Sequence, residues 1–117
     1  EIACAGLTAD EVKQQGLEVT VGKALTAALG KSLIEREERG FVKLVFEKQS
    51  GILLGAQLMC GRATDLIAGL TQAIDQRLTA RELVSVVRPH PTFSEAVTEA
   101  AEDALGGAIH AVPRAKR

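Results

Sequence analysis

The chain has 117 residues, 46% of them hydrophobic and 25% charged, with 14 Lys+Arg against 15 Asp+Glu for a formal net charge of -1. That length and apolar content suit one globular domain able to offset its ordering entropy by burial, and exclude both a two-domain chain and a disordered segment. The balanced charge offers no basic field to nucleic acid, three Phe as the only aromatics make no base-stacking platform, and no run approaches the ~18 apolar residues of a membrane span.

Residues 2–6 read as a strand. Thr8–Glu11 then carries the Thr-x-x-Glu pattern of a capping box, in which the hydroxyl and the carboxylate each satisfy a free backbone N–H. It predicts a short helix over about 9–15, ended by Gly16. Residues 18–24 (EVTVGKA) form another strand. In 41–47, Val42, Leu44 and Phe46 alternate with Lys43 and Glu47, the pattern of a half-buried strand. Gln49-Ser50-Gly51 turns the chain into 52–60 (ILLGAQLMC), an almost continuous apolar run that predicts a central strand covered on both faces.

The second half is helical. Ala63, Leu66, Ile67, Leu70 and Ile74 form one stripe of a helix over about 62–77. Thr79–Glu82 and Thr92–Glu95 repeat the capping-box pattern, and the latter opens a helix from about Thr92 or Phe93. There Phe93, Ala96, Val97, Ala100, Ala101, Ala104 and Leu105 recur at helical spacing until Gly106-Gly107 stop it. Strands first and helices last predict an α+β fold, an antiparallel sheet of about four to five strands covered by C-terminal helices. The domain is expected over 1–110, with 111–117 a frayed tail. Cys4 and Cys60 form no CxxC and no metal-ligand pair, and no metal site is expected; two buried thiols in a small cytoplasmic domain are the plain reading. The start at Glu1, without methionine or a basic leader, reads as a cut from a longer protein.

Few segments carry chemistry. Gly30-Lys31-Ser32 resembles the end of a phosphate-binding loop, but the required earlier glycine is Leu25. No GxGxxG, HExxH or GxSxG occurs. What remains is Arg88-Pro89-His90-Pro91-Thr92-Phe93-Ser94-Glu95. Two prolines restrict the backbone around His90, and a glutamate five residues on could orient its ring, leaving the other nitrogen for proton transfer. The competing reading gives Glu95 to the capping box and leaves His90 a solvated loop residue. The two readings make opposite demands on one carboxylate, unless its two oxygens are shared.

His90-Pro91-Thr92-Phe93-Ser94-Glu95 resembles the HPTxSE signature of the flavin-dependent pyridine nucleotide–disulfide oxidoreductases. Ala96–Ala101 (AVTEAA) and Gly106-Gly107-Ala108-Ile109-His110 are similar to the dihydrolipoamide dehydrogenase branch. Glu1–Glu11 (EIACAGLTADE) resembles the opening of that family's C-terminal dimerisation domain. Gly40–Lys43, Ile52–Gly55 and Asp65–Ile67 fall where that domain has its hairpin and following helix.

The resemblance implies a homodimer in which this interface domain accompanies FAD- and NAD-binding domains that this chain lacks. It implies that His90 serves as base and acid for a dihydrolipoamide-type dithiol at the partner subunit's redox disulfide, oriented by Glu95. His90 and Pro91 would approach the partner's flavin, with the bond before Pro91 cis. This fragment by itself should bind neither FAD nor NAD and should be inactive, with no nucleic acid or membrane partner. Two positions depart from the pattern: Arg88 stands where lipoamide dehydrogenases commonly carry a first histidine, and Leu29 precedes Gly30-Lys31 where asparagine is frequent. The alternatives are the same domain of a glutathione-reductase-like or other disulfide reductase, and a non-catalytic dimerisation module.

Overall fold

The hairpin at the centre of the chain organises the rest. In a computed structural model, which describes residues 1–37 and 39–111, β1 spans Ile2–Gly6, β2 Val19–Leu25, β3 Phe41–Glu47 and β4 Leu53–Met59. All pairings are antiparallel, in the order β1-β4-β3-β2. The apolar run of β4 therefore lies inside the sheet beside β3, and β1 and β2 take the edges. Between them, Gly51 takes φ 74° at the turn, and its N–H donates to Glu47 O at 2.8 Å.

The helices are α1 Ala9–Gln14, α2 Gly30–Glu35, α3 Ala63–Asp75, α4 Ala80–Ser85 and α5 Glu95–Leu105. α1 and α4 begin with complete capping boxes at Thr8/Glu11 and Thr79/Glu82. α3 stops two residues short of the expected end, with Arg77 left-handed at φ 57°. The segment between β2 and β3 was not anticipated: it makes a 3₁₀ turn at Thr26–Ala28 and then α2. α2 has no side-chain cap at its start, so only the Lys31–Glu35 ion pair at 2.7 Å marked it as helical in the sequence.

One face of the sheet carries the main core. Val42, Leu44, Phe46, Leu53, Ala56 and Leu58 pack there against α3, α4 and α5. The expected alternation of β3 is incomplete, because Val45 is also buried. An irregular register between Val45 and Phe46 accompanies this, and Val45 joins Ala9 and Val12 of α1 in a second, smaller core on the opposite face. One of the two thiols differs from expectation. Cys60 is buried, and burial pushes its pKa up, but Cys4 is exposed on the edge strand β1. No helix among the described residues is long and apolar enough to cross a membrane.

The seating of α5 depends on one glycine. Gly22 of β2 lies so close to α5 that an added Cβ would stand 1.8 Å from the Ala100 carbonyl oxygen. Small residues on both sides, Gly22 against Ala100 and Ala104, allow helix and strand to approach at backbone contact. The contact is reinforced where the Lys23 N–H donates to Asp103 Oδ2 at 2.9 Å. Gly22→Ala is therefore expected to cost about 1–3 kcal/mol, as overpacked sites do. Urea unfolding of the variant should show a lowered midpoint; an unchanged midpoint would mean that α5 does not hold this close contact.

Candidate functional site

Residues 86–94 link α4 to α5 and bring the histidine to the start of a helix. The His90–Pro91 bond is cis. The Thr92 hydroxyl donates to Pro89 O at 2.8 Å and lies 2.7 Å from Ser94 Oγ, whose hydroxyl then donates to it. These bonds fold the segment onto itself and use up the Thr92 hydroxyl. Thr92–Glu95 is therefore half of a capping box. Glu95 Oε2 accepts from the Thr92 N–H at 2.9 Å, but Ser94 occupies the N-cap position without a side-chain cap and the helix starts at Glu95, later than the pattern predicts.

The other carboxylate oxygen holds the histidine. His90 Nδ1 lies 2.9 Å from Glu95 Oε1. The two sequence readings of Glu95 thus coexist, one oxygen each. Burial disfavours the Glu95 charge, yet the hydrogen bonds from Thr92 and His90, with the nearby His90 and His110, outweigh it and hold the carboxyl below its usual 4.5. The positive end of the α5 dipole acts in the same sense. An ionised carboxylate only accepts, so Nδ1 carries the hydrogen and donates it. In a neutral ring Nε2 is then the free acceptor. The Glu95 side chain is 26% exposed and that of His90 72%, so the orienting group is sheltered and the ring is accessible.

The ring stands in a concavity of about 370 Å³ whose walls include Leu29, Gly30, Val86 and Val87. A methyl group placed on Gly30 would be 3.5 Å from His90 Cε1 and 4.0 Å from Nε2, so the ring lies alongside the start of α2. Two further groups share the cavity, and sequence reasoning assigned neither a role. One turn beyond Glu95, Glu99 accepts from His110 twice, at 2.8 Å from Nδ1 and 3.2 Å from the backbone N–H. Gly106, at φ 78°, is where the chain bends back to make this possible. The i, i+4 spacing of Glu95 and Glu99 was a readable sign that both carboxylates share a face; the contact with His110 was not readable. The second group is Arg88, which is drawn inward to hydrogen-bond α4 and α5.

The model of the pyridine nucleotide-disulphide oxidoreductase dimerisation domain matches residues 1–101. The chain belongs to that family. It is 42% identical over 114 residues to a dihydrolipoyl dehydrogenase of Halobacterium salinarum, covering 97% of this chain and 24% of that protein. It is 43% identical over 112 residues to a dihydrolipoyl dehydrogenase of Bacillus subtilis, covering 94% and 23%. The chain thus spans about a quarter of the length of these relatives. Among solved structures, LpdA from Mycobacterium tuberculosis superposes with a TM-score of 0.80 at 23% identity, covering 86% of this chain and 22% of that one. The HOCl-induced flavoprotein disulfide reductase RclA of Escherichia coli superposes at 0.81 with 22% identity, over 86% and 23%. These two likenesses support the α+β fold of the family's dimerisation domain, with four strands where about four to five were expected.

The lowered carboxyl pKa has a consequence for stability. A carboxylate whose folded pKa lies below its unfolded value of 4.5 contributes stability that is complete above that pH and is lost as pH falls through the folded pKa. Glu11 and Glu82, held low by Thr8 and Thr79, act in the same direction. Thermal melts should show Glu95→Gln to be less stable than the parent at about pH 6, with the gap narrowing toward about pH 3. A gap independent of pH would mean that the Glu95 charge is not what the site uses.

Proposed function

We propose that this chain is the interface domain of a dihydrolipoyl dehydrogenase-type flavoenzyme and supplies the His90–Glu95 pair for proton transfer to and from a dithiol. The observation that carries the reading is the 2.9 Å contact between His90 Nδ1 and Glu95 Oε1, which leaves Nε2 free on an exposed ring. Free Nε2 takes the proton from a substrate thiol, producing the thiolate that attacks a disulfide. The imidazolium so formed is stabilised by Glu95, which stays ionised because its second oxygen is held by the Thr92 N–H. The reverse step returns the proton. The names of the relatives favour a lipoyl dithiol over a glutathione-type substrate.

FAD and NAD belong, on this reading, to the other domains of the protein. No glycine-rich dinucleotide loop occurs in this chain. His90 and Pro91 are both exposed, and His90 borders the cavity, which suits an approach to a flavin held by a partner subunit. The flavin would accept the electrons that leave the dithiol; this chain's residues orient the base, exclude water from Glu95 and move the proton at Nε2. A cytoplasmic location accords with the two free thiols.

A homodimer is part of the same proposal. The apolar stripes of α3 and α5 are spent on the chain's own core, so they are not what a partner would cover. Leu33, Ile34, Val86, Val87 and Ile109 remain exposed, Val87 at 93%. Light scattering of the isolated domain in the micromolar range is expected to show a dimer, whose interface should exceed about 1,000 Å²; a strictly monomeric species would count against these residues forming it.

The decisive experiment on function is His90→Gln in the full-length protein. A positioned general base typically contributes about 10²–10⁴-fold, and dihydrolipoamide turnover should fall by that order. Near-parental turnover would defeat the proton-transfer reading and leave the domain a dimerisation module.

A further inference from the structure

We propose that Arg88 is the positioning residue of this site, a clamp whose guanidinium fastens the His90-bearing segment to both flanking helices. The inference rests on the reading of His90 given above. Between Val86 and Pro91, five of six residues are exposed, and Arg88 alone is turned inward. Its Nη1 donates to Leu83 O at 2.9 Å, to Val86 O at 3.3 Å and to Thr98 Oγ1 at 2.6 Å. Leu83 lies in α4, Val86 is the residue that ends α4, and Thr98 sits on α5 three residues after Glu95. One nitrogen therefore connects the end of α4, where carbonyls lack helical partners, to the helix that carries the carboxylate. The histidine is two residues from this anchor, and its orienting glutamate is less than one turn from the other end of it.

The partners indicate what kind of role this is. All three acceptors are neutral oxygens, so the guanidinium is partly desolvated without a carboxylate to compensate it, and burial alone pulls its pKa down. A cation is a costly way to fill such space unless its several donors are needed at once. The charges that act on Glu95 come from His90 and His110, not from Arg88. Arg88 thus acts by geometry: it sets where His90 stands and leaves the charge of the pair alone. Arg88, which stands where a first histidine is common in lipoamide dehydrogenases, is thus the residue that ties the loop down.

The test compares Arg88→Met, Arg88→Lys and Thr98→Val in the full-length enzyme, with His90→Gln as reference. Arg88→Met keeps the length of the side chain and removes the donors. It should lower kcat about tenfold, since small displacements of a reacting group cost that much or more, with KM within about twofold and the pH profile of kcat unchanged. Arg88→Lys, with a point charge in place of a fork, should recover part of the loss. Thr98→Val, which removes only the α5 end of the clamp, should show a smaller loss of the same kind. Parental kcat in Arg88→Met, or a rise in KM with kcat intact, overturns the proposal. If Arg88→Met does not fold, Thr98→Val decides: reduced kcat at parental KM supports the clamp, and parental kcat overturns it. If His90→Gln keeps full turnover, the reading of function falls and the clamp is judged by hydrogen exchange. Faster exchange of the amides of Val87, Arg88, His90 and Thr92 in Thr98→Val and Arg88→Lys then supports it, and unchanged exchange overturns it.

Discussion

The close contact between α5 and strand β2 is the constraint on which the remaining geometry depends. Gly22 admits the helix to within backbone contact, Ala100 and Ala104 present no bulk, and Asp103 takes the Lys23 amide hydrogen. Ala96, Val97, Ala100 and Ala101 are all buried on the sheet side. A helix fixed along its length in this way fixes its first residue too. Glu95 is that residue, so the position of the carboxylate is inherited from packing that lies about one and a half to two and a half turns away. The chemistry at the end of the helix is only as well placed as the alanine–glycine seam beneath it.

The carboxylate then distributes that order outward. One oxygen is committed to the Thr92 amide and the other to His90. The first bond holds the loop on the helix, and the second selects the Nδ1–H tautomer of the ring. These are separate tasks on the two oxygens of one side chain, and neither has to yield to the other. Beside it, Glu99 and His110 repeat the arrangement one turn along. Glu95 and Glu99 are each matched by an imidazole, which limits the repulsion that two such charges at i, i+4 would otherwise feel. His110 also folds the end of the described chain over the outer wall of the cavity, where Ile109 is left exposed.

The surface around His90 is open. Its ring is largely exposed, and the cavity beside it is bordered by Val86, Val87 and Ile109, which nothing among the described residues covers. This chain spans about a quarter of the length of the dihydrolipoyl dehydrogenases it resembles. Cys60 is buried, which raises its pKa, while Cys4 lies exposed on an edge strand. Neither thiol lines the cavity beside His90.

The sequence by itself determined the elements whose signals are local. Alternation at 41–47, the apolar run at 52–60 and two complete capping boxes placed strands and helices to within two residues, because period and caps act over three or four positions. The motif around His90 and its resemblance also singled out the two residues that meet at 2.9 Å. Tertiary structure decided the rest. The burial of Val45 needed α1 on the far face, and α2, short and uncapped, had little local signal to read. The sharing of the two Glu95 oxygens was left open by spacing and was resolved when the Thr92 hydroxyl turned to Pro89 and Ser94. The Glu99–His110 bond spans 11 residues and the Arg88–Thr98 bond spans 10. Contacts at such separations depend on how a turn bends and where a helix is seated, and neither is written in the periodicity of the residues that make them.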